Sequence, residues 1–165
     1  MLTAAHCFIN VPPNHLGIKV CFGSDSKQIV KAQCIAASRY IIHPEYTKAG
    51  PVYKDTGRND IAIIETEYGI PFDSKTYPIC LPSAEFCLDE GNIVEISGWG
   101  SIEKDGTYAD GSFPDSLMYD EVEVQHENST CGVDAGDKDF LKYHTCAGGG
   151  LLTVRFKINV LQFIS

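Results

Sequence analysis

Short segments in which apolar and polar residues alternate, with turn-forming residues between them, run through most of this chain. In the segment after Gly17, the side chains of Ile18, Val20 and Phe22 fall on one face, which is the pattern of a half-buried strand. Further strand-like segments are found at residues 28–42, 60–65, 94–97 and 117–125. Helical periodicity does not extend far anywhere in the sequence, so we predict an all-β fold.

The overall charge of the chain limits its partners. The 165 residues carry a formal net charge of −9 and contain no run of Lys and Arg longer than two. Nucleic acids and anionic membranes both attract clusters of basic residues, so neither is expected as a partner.

With 44% hydrophobic residues, the chain has enough apolar material for a domain with a core. Residues 150–165 are too few and too charged to span a membrane.

Seven cysteines are many for a chain of this length in a reducing compartment. No C-x-x-C pair is present, so neither a zinc site nor another metal or cofactor is expected. Three pairs are close enough in sequence to close local loops: Cys21 with Cys34, Cys80 with Cys87, and Cys131 with Cys146. Closing the last of these loops would stabilise the fold by about 3 kcal/mol in the chain-entropy model. The sequence alone leaves the connectivity open.

A histidine and an aspartate lie in the two stretches best suited to catalysis. His6 lies in L-T-A-A-H-C at the start of the chain, and Asp60 lies in N-D-I-A-I-I. An imidazole takes a proton from a hydroxyl nucleophile when a carboxylate holds it in the right tautomer, and these residues suit those roles. The run from Ile61 to Ile64 predicts a short buried strand, and an acid at its start suits a buried carboxylate bound to imidazole. The other histidines are interpreted as solvated or structural: His15, His43, His126 and His144.

Three further motifs follow in order: I-C-L-P at residues 79–82, S-G-W-G at 97–100 and T-C-A-G-G at 145–149. With the two stretches above, they resemble the trypsin-like, or S1, family of serine proteases over residues 1–149. The resemblance implies the chymotrypsin-like fold, with two six-stranded antiparallel β-barrels, and hydrolysis of peptide bonds by a Ser-His-Asp triad. It assigns the role of general base to His6 and that of orienting acid to Asp60. It also implies protein or peptide substrates, protease inhibitors as partners, and secretion.

Relative to the family pattern, the chain is expected to be incomplete at both ends. Residues 1–78 correspond to the rest of the first barrel and residues 79–149 to the start of the second, while residues 150–165 diverge from the family. All-β barrel domains commonly have roughly 200–250 residues, so we expect the first strands of barrel 1 and the last strands of barrel 2 to be missing. Met1 is not followed by the basic and apolar regions of a signal peptide.

The family's nucleophile motif, G-D-S-G-G, does not occur in these 165 residues. None of five other serines lies in a tight glycine turn that would present a hydroxyl beside two backbone N–H groups: Ser97, Ser101, Ser112, Ser116 and Ser129. We therefore predict that the chain as given is inactive. The alternative function is a non-catalytic, protease-like binding module.

Two more residues are noted for their sequence context. In the family, the cysteine after the catalytic histidine pairs with one upstream, and because no cysteine precedes Cys7, we predict that it is unpaired. A role for Cys7 as a thiol nucleophile is disfavoured, because adjacent residues on a strand point to opposite faces. Asn128 begins the triplet Asn-Ser-Thr, and it is a candidate for N-glycosylation in the secretory pathway.

Overall fold

A computed structural model describes residues 1–12, 17–28, 32–47, 58–83, 88–100, 113–125 and 144–148. Its regular elements are strands and one short 3₁₀ helix: β1 (Leu2–Thr3), the 3₁₀ helix (Ala5–Phe8), β2 (Lys19–Phe22), β3 (Gln33–Ile42), β4 (Ala62–Thr66), β5 (Ile93–Gly98) and β6 (Met118–Glu123). The expected all-β class is confirmed. Two compact units are present: the first contains β1, β4, most of β3 and the start of β2, and the second contains β5 and β6.

The four-stranded sheet has the order β1-β4-β3-β2. Strand β4 pairs antiparallel with both β1 and β3, so that Ile63 lies opposite Leu2 on one side and opposite Ile41 on the other. The backbone of Met1 extends this pairing, because its carbonyl accepts from the N–H of Ile64 at 2.8 Å and its amino group donates to the carbonyl of the same residue. The edge of the sheet therefore includes the first residue of the chain.

Only one face of β4 is buried, which corrects the expectation of a strand buried along its whole length. Ala62 and Ile64 are 2% and 6% exposed, whereas Ile61 and Ile63 are 42% and 47% exposed. Successive side chains of a strand point to opposite faces, and here only one face packs on the core. The core of this unit consists of Ala5, Phe8, Val20, Ala37, Ala62 and Ile64.

The second unit is built on the hairpin of β5 and β6, which runs in register from Ile93 opposite Glu123 to Gly98 opposite Met118. The ladder continues past β6, where Val124 forms a bridge with Ala147. Val124 and Cys146 are both buried, at 4% and 1% exposure. The hairpin thus has a third, short partner segment within its own unit.

Of the three predicted disulfides, the one between Cys21 and Cys34 is formed, and it joins β2 to β3. The predicted pairing of Cys80 with Cys87 is wrong, because Cys80 is a free, exposed cysteine. Cys80 lies in an irregular segment between two prolines, Pro78 and Pro82, which keep the residues before them extended rather than folded back. Closeness in sequence was therefore not sufficient to close a loop. Cys87 itself lies outside the described residues.

Cys146 is disulfide-bonded, and its partner lies outside the described residues. The pairing with Cys131 stays a prediction, since Cys131 is also outside them. In the described part of the chain, no helix has the length and apolar character needed to cross a bilayer.

Candidate active site

The 3₁₀ helix that follows β1 presents His6 at the surface of the first unit. Ala4 and Ala5 are 1% and 0% exposed, so the backbone here lies directly against the core and has room only for small side chains. A 3₁₀ helix has three residues per turn, and the burial of Ala5 and Phe8 therefore leaves His6 and Cys7 on the outer side. The side chain of His6 is 35% exposed.

Asp60 lies in a tight turn immediately before β4. The N–H of Ile61 donates to the carbonyl of Asn59 at 2.7 Å, which closes a three-residue turn around Asp60. Asn59 has a φ of 52°, in the left-handed region that asparagine tolerates better than most residues. The carboxylate, for which the sequence indicated a buried site, is 28% exposed.

Both carboxylate oxygens of Asp60 bind His6. The backbone N–H of His6 donates to Oδ1 at 2.8 Å, and the ring Nδ1 lies 2.7 Å from Oδ2. An ionised carboxylate only accepts hydrogen bonds, so Nδ1 is the ring nitrogen that carries the proton. In the neutral ring the lone pair is then on Nε2, which makes Nε2 the atom available as a base.

The pairing of β1 with β4 brings these two residues together. Thr3 in β1 lies opposite Ala62 in β4. His6 comes three residues after Thr3, and Asp60 comes two residues before Ala62. The buried alanines and isoleucine around this pairing fix the two backbones against the same core. The pairing of the two strands therefore brings the backbones that carry His6 and Asp60 close to each other.

Tyr46 lies beside this pair, and sequence analysis did not identify it. Its side chain packs against the core of the first unit. Burial, followed by the negative charges of Asp60 and Cys7, raises the pKa of Tyr46 above its ordinary value of 10.0. The only sequence signal was its position two residues after His43-Pro44, in a turn closed by the N–H of Tyr46 donating to the carbonyl of His43.

Comparison with known proteins identifies the family. The sequence pattern of the family described as Trypsin matches residues 1–153. The chain belongs to the trypsin family. Complement C1s-1 subcomponent of Mus musculus is 34% identical over 109 residues, which are 63% of this chain and 15% of that protein. Venom serine protease 34 of Apis mellifera is 38% identical over 111 residues, 64% of this chain and 26% of that protein.

Among solved structures, the trypsin-family chain is similar to neuropsin, a serine protease expressed in the limbic system of mouse brain. The two align with a TM-score of 0.66 and 28% sequence identity, over 90% of this chain and 59% of neuropsin. This similarity confirms the chymotrypsin-like fold. The chain spans about a quarter or less of the two sequence relatives, and less than two thirds of the structural one.

The remaining candidate residues of this trypsin-family chain lie apart from the His6–Asp60 pair or outside the described residues. The Nδ1 atom of His43 accepts from the backbone N–H of Glu45 at 3.1 Å, which is a local structural contact. In the described ranges, no serine is hydrogen-bonded to His6, and no group of three metal-binding side chains is found. Six of the named residues lie outside those ranges: His15, Ser101, Ser112, His126, Ser129 and the glycosylation candidate Asn128.

Cys7 is a free, exposed cysteine. The reason given against a thiol role does not hold, because Cys7 and His6 lie in a 3₁₀ helix rather than on a strand. Successive residues of such a helix are about 120° apart, so their side chains share the exposed side. No described contact assigns Cys7 a ligand.

Proposed function

We propose that this chain supplies the general base and its orienting acid to a serine endopeptidase, which hydrolyses peptide bonds by the Ser-His-Asp mechanism. The observation that supports this most directly is the double contact between Asp60 and His6. A carboxylate that binds both the ring and the backbone of one histidine fixes the position, the rotation and the tautomer of the imidazole. The non-catalytic alternative does not account for that arrangement.

In the proposed reaction, Nε2 of His6 removes the proton of a serine hydroxyl as the oxygen attacks the substrate carbonyl. The same nitrogen then donates that proton to the leaving amine, while the charge of Asp60 stabilises the intermediate imidazolium. The serine and its surrounding G-D-S-G-G motif are not among these 165 residues. We therefore expect the 165-residue chain by itself to hydrolyse no peptide substrate.

Joining the chain to a nucleophile tests the proposal. A chimaera would place residues 1–148 between the N-terminal and C-terminal segments of neuropsin that flank the matching region, and the C-terminal segment would supply the serine. We expect it to hydrolyse peptide amides and to react with a serine-directed fluorophosphonate. The substitution His6→Ala should lower kcat by about 10⁶-fold, and Asp60→Asn by about 10⁴-fold, as for triad residues of other serine proteases.

The substitution His144→Ala is the matched control, because this histidine takes no part in the hydrogen bonds between His6 and Asp60, and it should leave kcat unchanged. A folded chimaera that neither hydrolyses substrate nor reacts with the fluorophosphonate would contradict the proposal. So would full activity after Asp60→Asn. Hydrolysis by the 165-residue chain alone, blocked by a serine-directed inhibitor, would overturn the expectation of inactivity.

The same function implies a class of partners and a location. Proteases of the trypsin family act on protein substrates and are inhibited by protease inhibitors, and we infer both kinds of partner for this chain. The disulfide between Cys21 and Cys34 is of a kind that persists in oxidising compartments. Two relatives are named as a complement component and a venom protease. These observations support a secreted protein.

A further inference from the structure

The turn that carries Asp60 depends on the residue before it. Asn59 is the only non-glycine residue with a positive φ in the described part of the chain. The left-handed conformation costs roughly 1–2 kcal/mol for most residues, and less for asparagine. A backbone conformation of this kind persists only where neighbouring contacts hold it in place.

The side chain of Asn59 makes such a contact. Its Nδ2 donates to the backbone carbonyl of Glu45 at 3.1 Å. Glu45 lies in the turn closed by the hydrogen bond from the N–H of Tyr46 to the carbonyl of His43. The amide group thereby ties the turn around Asp60 to a second turn of the same unit.

Backbone hydrogen bonds connect the same two segments on either side of Asn59. Before it, the N–H of Thr47 donates to the carbonyl of Arg58 at 3.1 Å. After it, the N–H of His43 donates to the carbonyl of Ile61, also at 3.1 Å. The contact of Asn59 lies between these two, at the residue whose backbone is left-handed.

We propose that Asn59 is a positioning residue for the His6–Asp60 pair, acting through its left-handed backbone and its hydrogen bond to Glu45. The inference rests on the proposed function. Asp60 must direct one oxygen at the backbone N–H and the other at Nδ1 of the same histidine, at 2.8 and 2.7 Å. That double contact requires a fixed Cα–Cβ direction at Asp60, and the conformation of Asn59 sets it. Asn59 itself does not touch the reacting atoms.

Glycine at position 59 separates the two contributions. The substitution Asn59→Gly keeps the left-handed backbone accessible at no steric cost, but it removes the amide that binds Glu45. Asn59→Ala removes the amide and also disfavours the backbone conformation. The comparison therefore distinguishes the hydrogen bond from the backbone preference.

The measurement is made on the full 165-residue chain by NMR with ¹⁵N-labelled histidine, and it follows the exchange with water of the Nδ1 proton of His6. Asp60→Asn identifies this proton by removing its charged acceptor. We expect exchange to be about fivefold faster in Asn59→Gly, since one hydrogen bond contributes roughly 1 kcal/mol, and faster still in Asn59→Ala. Amide exchange at Ala62 and Ile64 reports the integrity of the core and should not change.

The matched control is Asn92→Gly, which removes another turn asparagine whose side chain accepts from the N–H of Asp89 at 3.0 Å. It should leave the His6 proton unaffected. An exchange rate in Asn59→Gly within twofold of the wild-type rate would overturn the inference while leaving the proposed function intact. Loss of core protection in Asn59→Gly would also overturn it, by showing a general structural role. A folded wild-type chain without a protected Nδ1 proton would instead contradict the His6–Asp60 pair and the proposed function.

Discussion

At the scale of single residues, Tyr46 packs against the core of the first unit and also interacts electrostatically with Asp60 and Cys7. A neutral phenol is compatible with partial burial beside a carboxylate, whereas a phenolate is not. Burial and the charges of Asp60 and Cys7 accordingly raise the pKa of Tyr46. In the unfolded chain the same hydroxyl loses its proton near pH 10.0.

This difference predicts a loss of stability in alkaline solution. Above pH 10 the unfolded state releases the tyrosine proton while the folded state retains it, so the free energy of unfolding falls as the pH rises. Below pH 10 the contribution is fully present. The variant Tyr46→Phe has no proton to lose at this position, and its stability should fall less steeply above pH 10 than that of the wild type. Urea denaturation at a series of pH values measures both slopes, and equal slopes would contradict the assignment.

Sequence patterns identified two residues of the site and missed two. His6 and Asp60 lie in motifs whose residue types reveal their chemistry. Asn59 acts through its backbone conformation, and Tyr46 acts through its closeness to Asp60. Neither property can be read from the residue type alone. Asparagine before the acid was a weak signal, because asparagine also occurs in ordinary turns.

At the scale of structural elements, the disulfide between Cys21 and Cys34 closes a loop between two neighbouring strands. Replacing both cysteines by serine should lower the free energy of unfolding by about 3 kcal/mol, since the unfolded chain regains the entropy of that loop. Chemical denaturation measures the loss. The double variant of the two free cysteines, Cys7→Ser with Cys80→Ser, is the control and should change stability by less than about 0.5 kcal/mol. Equal effects of the two double variants would show that the disulfide does not stabilise the fold.

The strands themselves were largely predictable, because alternation of side chains is a local property. The segment at residues 117–125 contains β6 (Met118–Glu123), and that at 94–97 lies within β5 (Ile93–Gly98). The expectation of a buried β4 holds for only one of its faces. A short run of aliphatic residues does not show whether one face of a strand or both are covered. The 3₁₀ helix was missed because four residues are too few to establish a period.

At the scale of the whole molecule, the order of the motifs along the chain predicted the family and the chymotrypsin-like fold. The pairing of strands was not predictable in the same way, because β1 and β4 are far apart in sequence and their register depends on the shared core. The boundary expected between the two barrels, at residues 78 and 79, stays a prediction. So does the assignment of residues 150–165 to a divergent segment, which lies outside the described residues.

The separation of His6 and Asp60 by 54 residues predicts how the site responds to denaturation. Their hydrogen bond depends on the pairing of β1 with β4, so the site and the sheet should be lost in one transition. In a urea titration, the signal of the His6 Nδ1 proton and the circular dichroism of the strands should have the same midpoint. A hydrogen bond that persists after the strands have unfolded would contradict this dependence.

The long separation also determines when the site arises during folding. Bringing distant segments together costs loop-closure entropy, and contacts of this kind form late and slowly. Synthesis proceeds from the N-terminus, so His6 is made 54 residues before the acid that orients it. The double contact can form only after β4, the strand that follows Asp60, has also been made and has paired with β1.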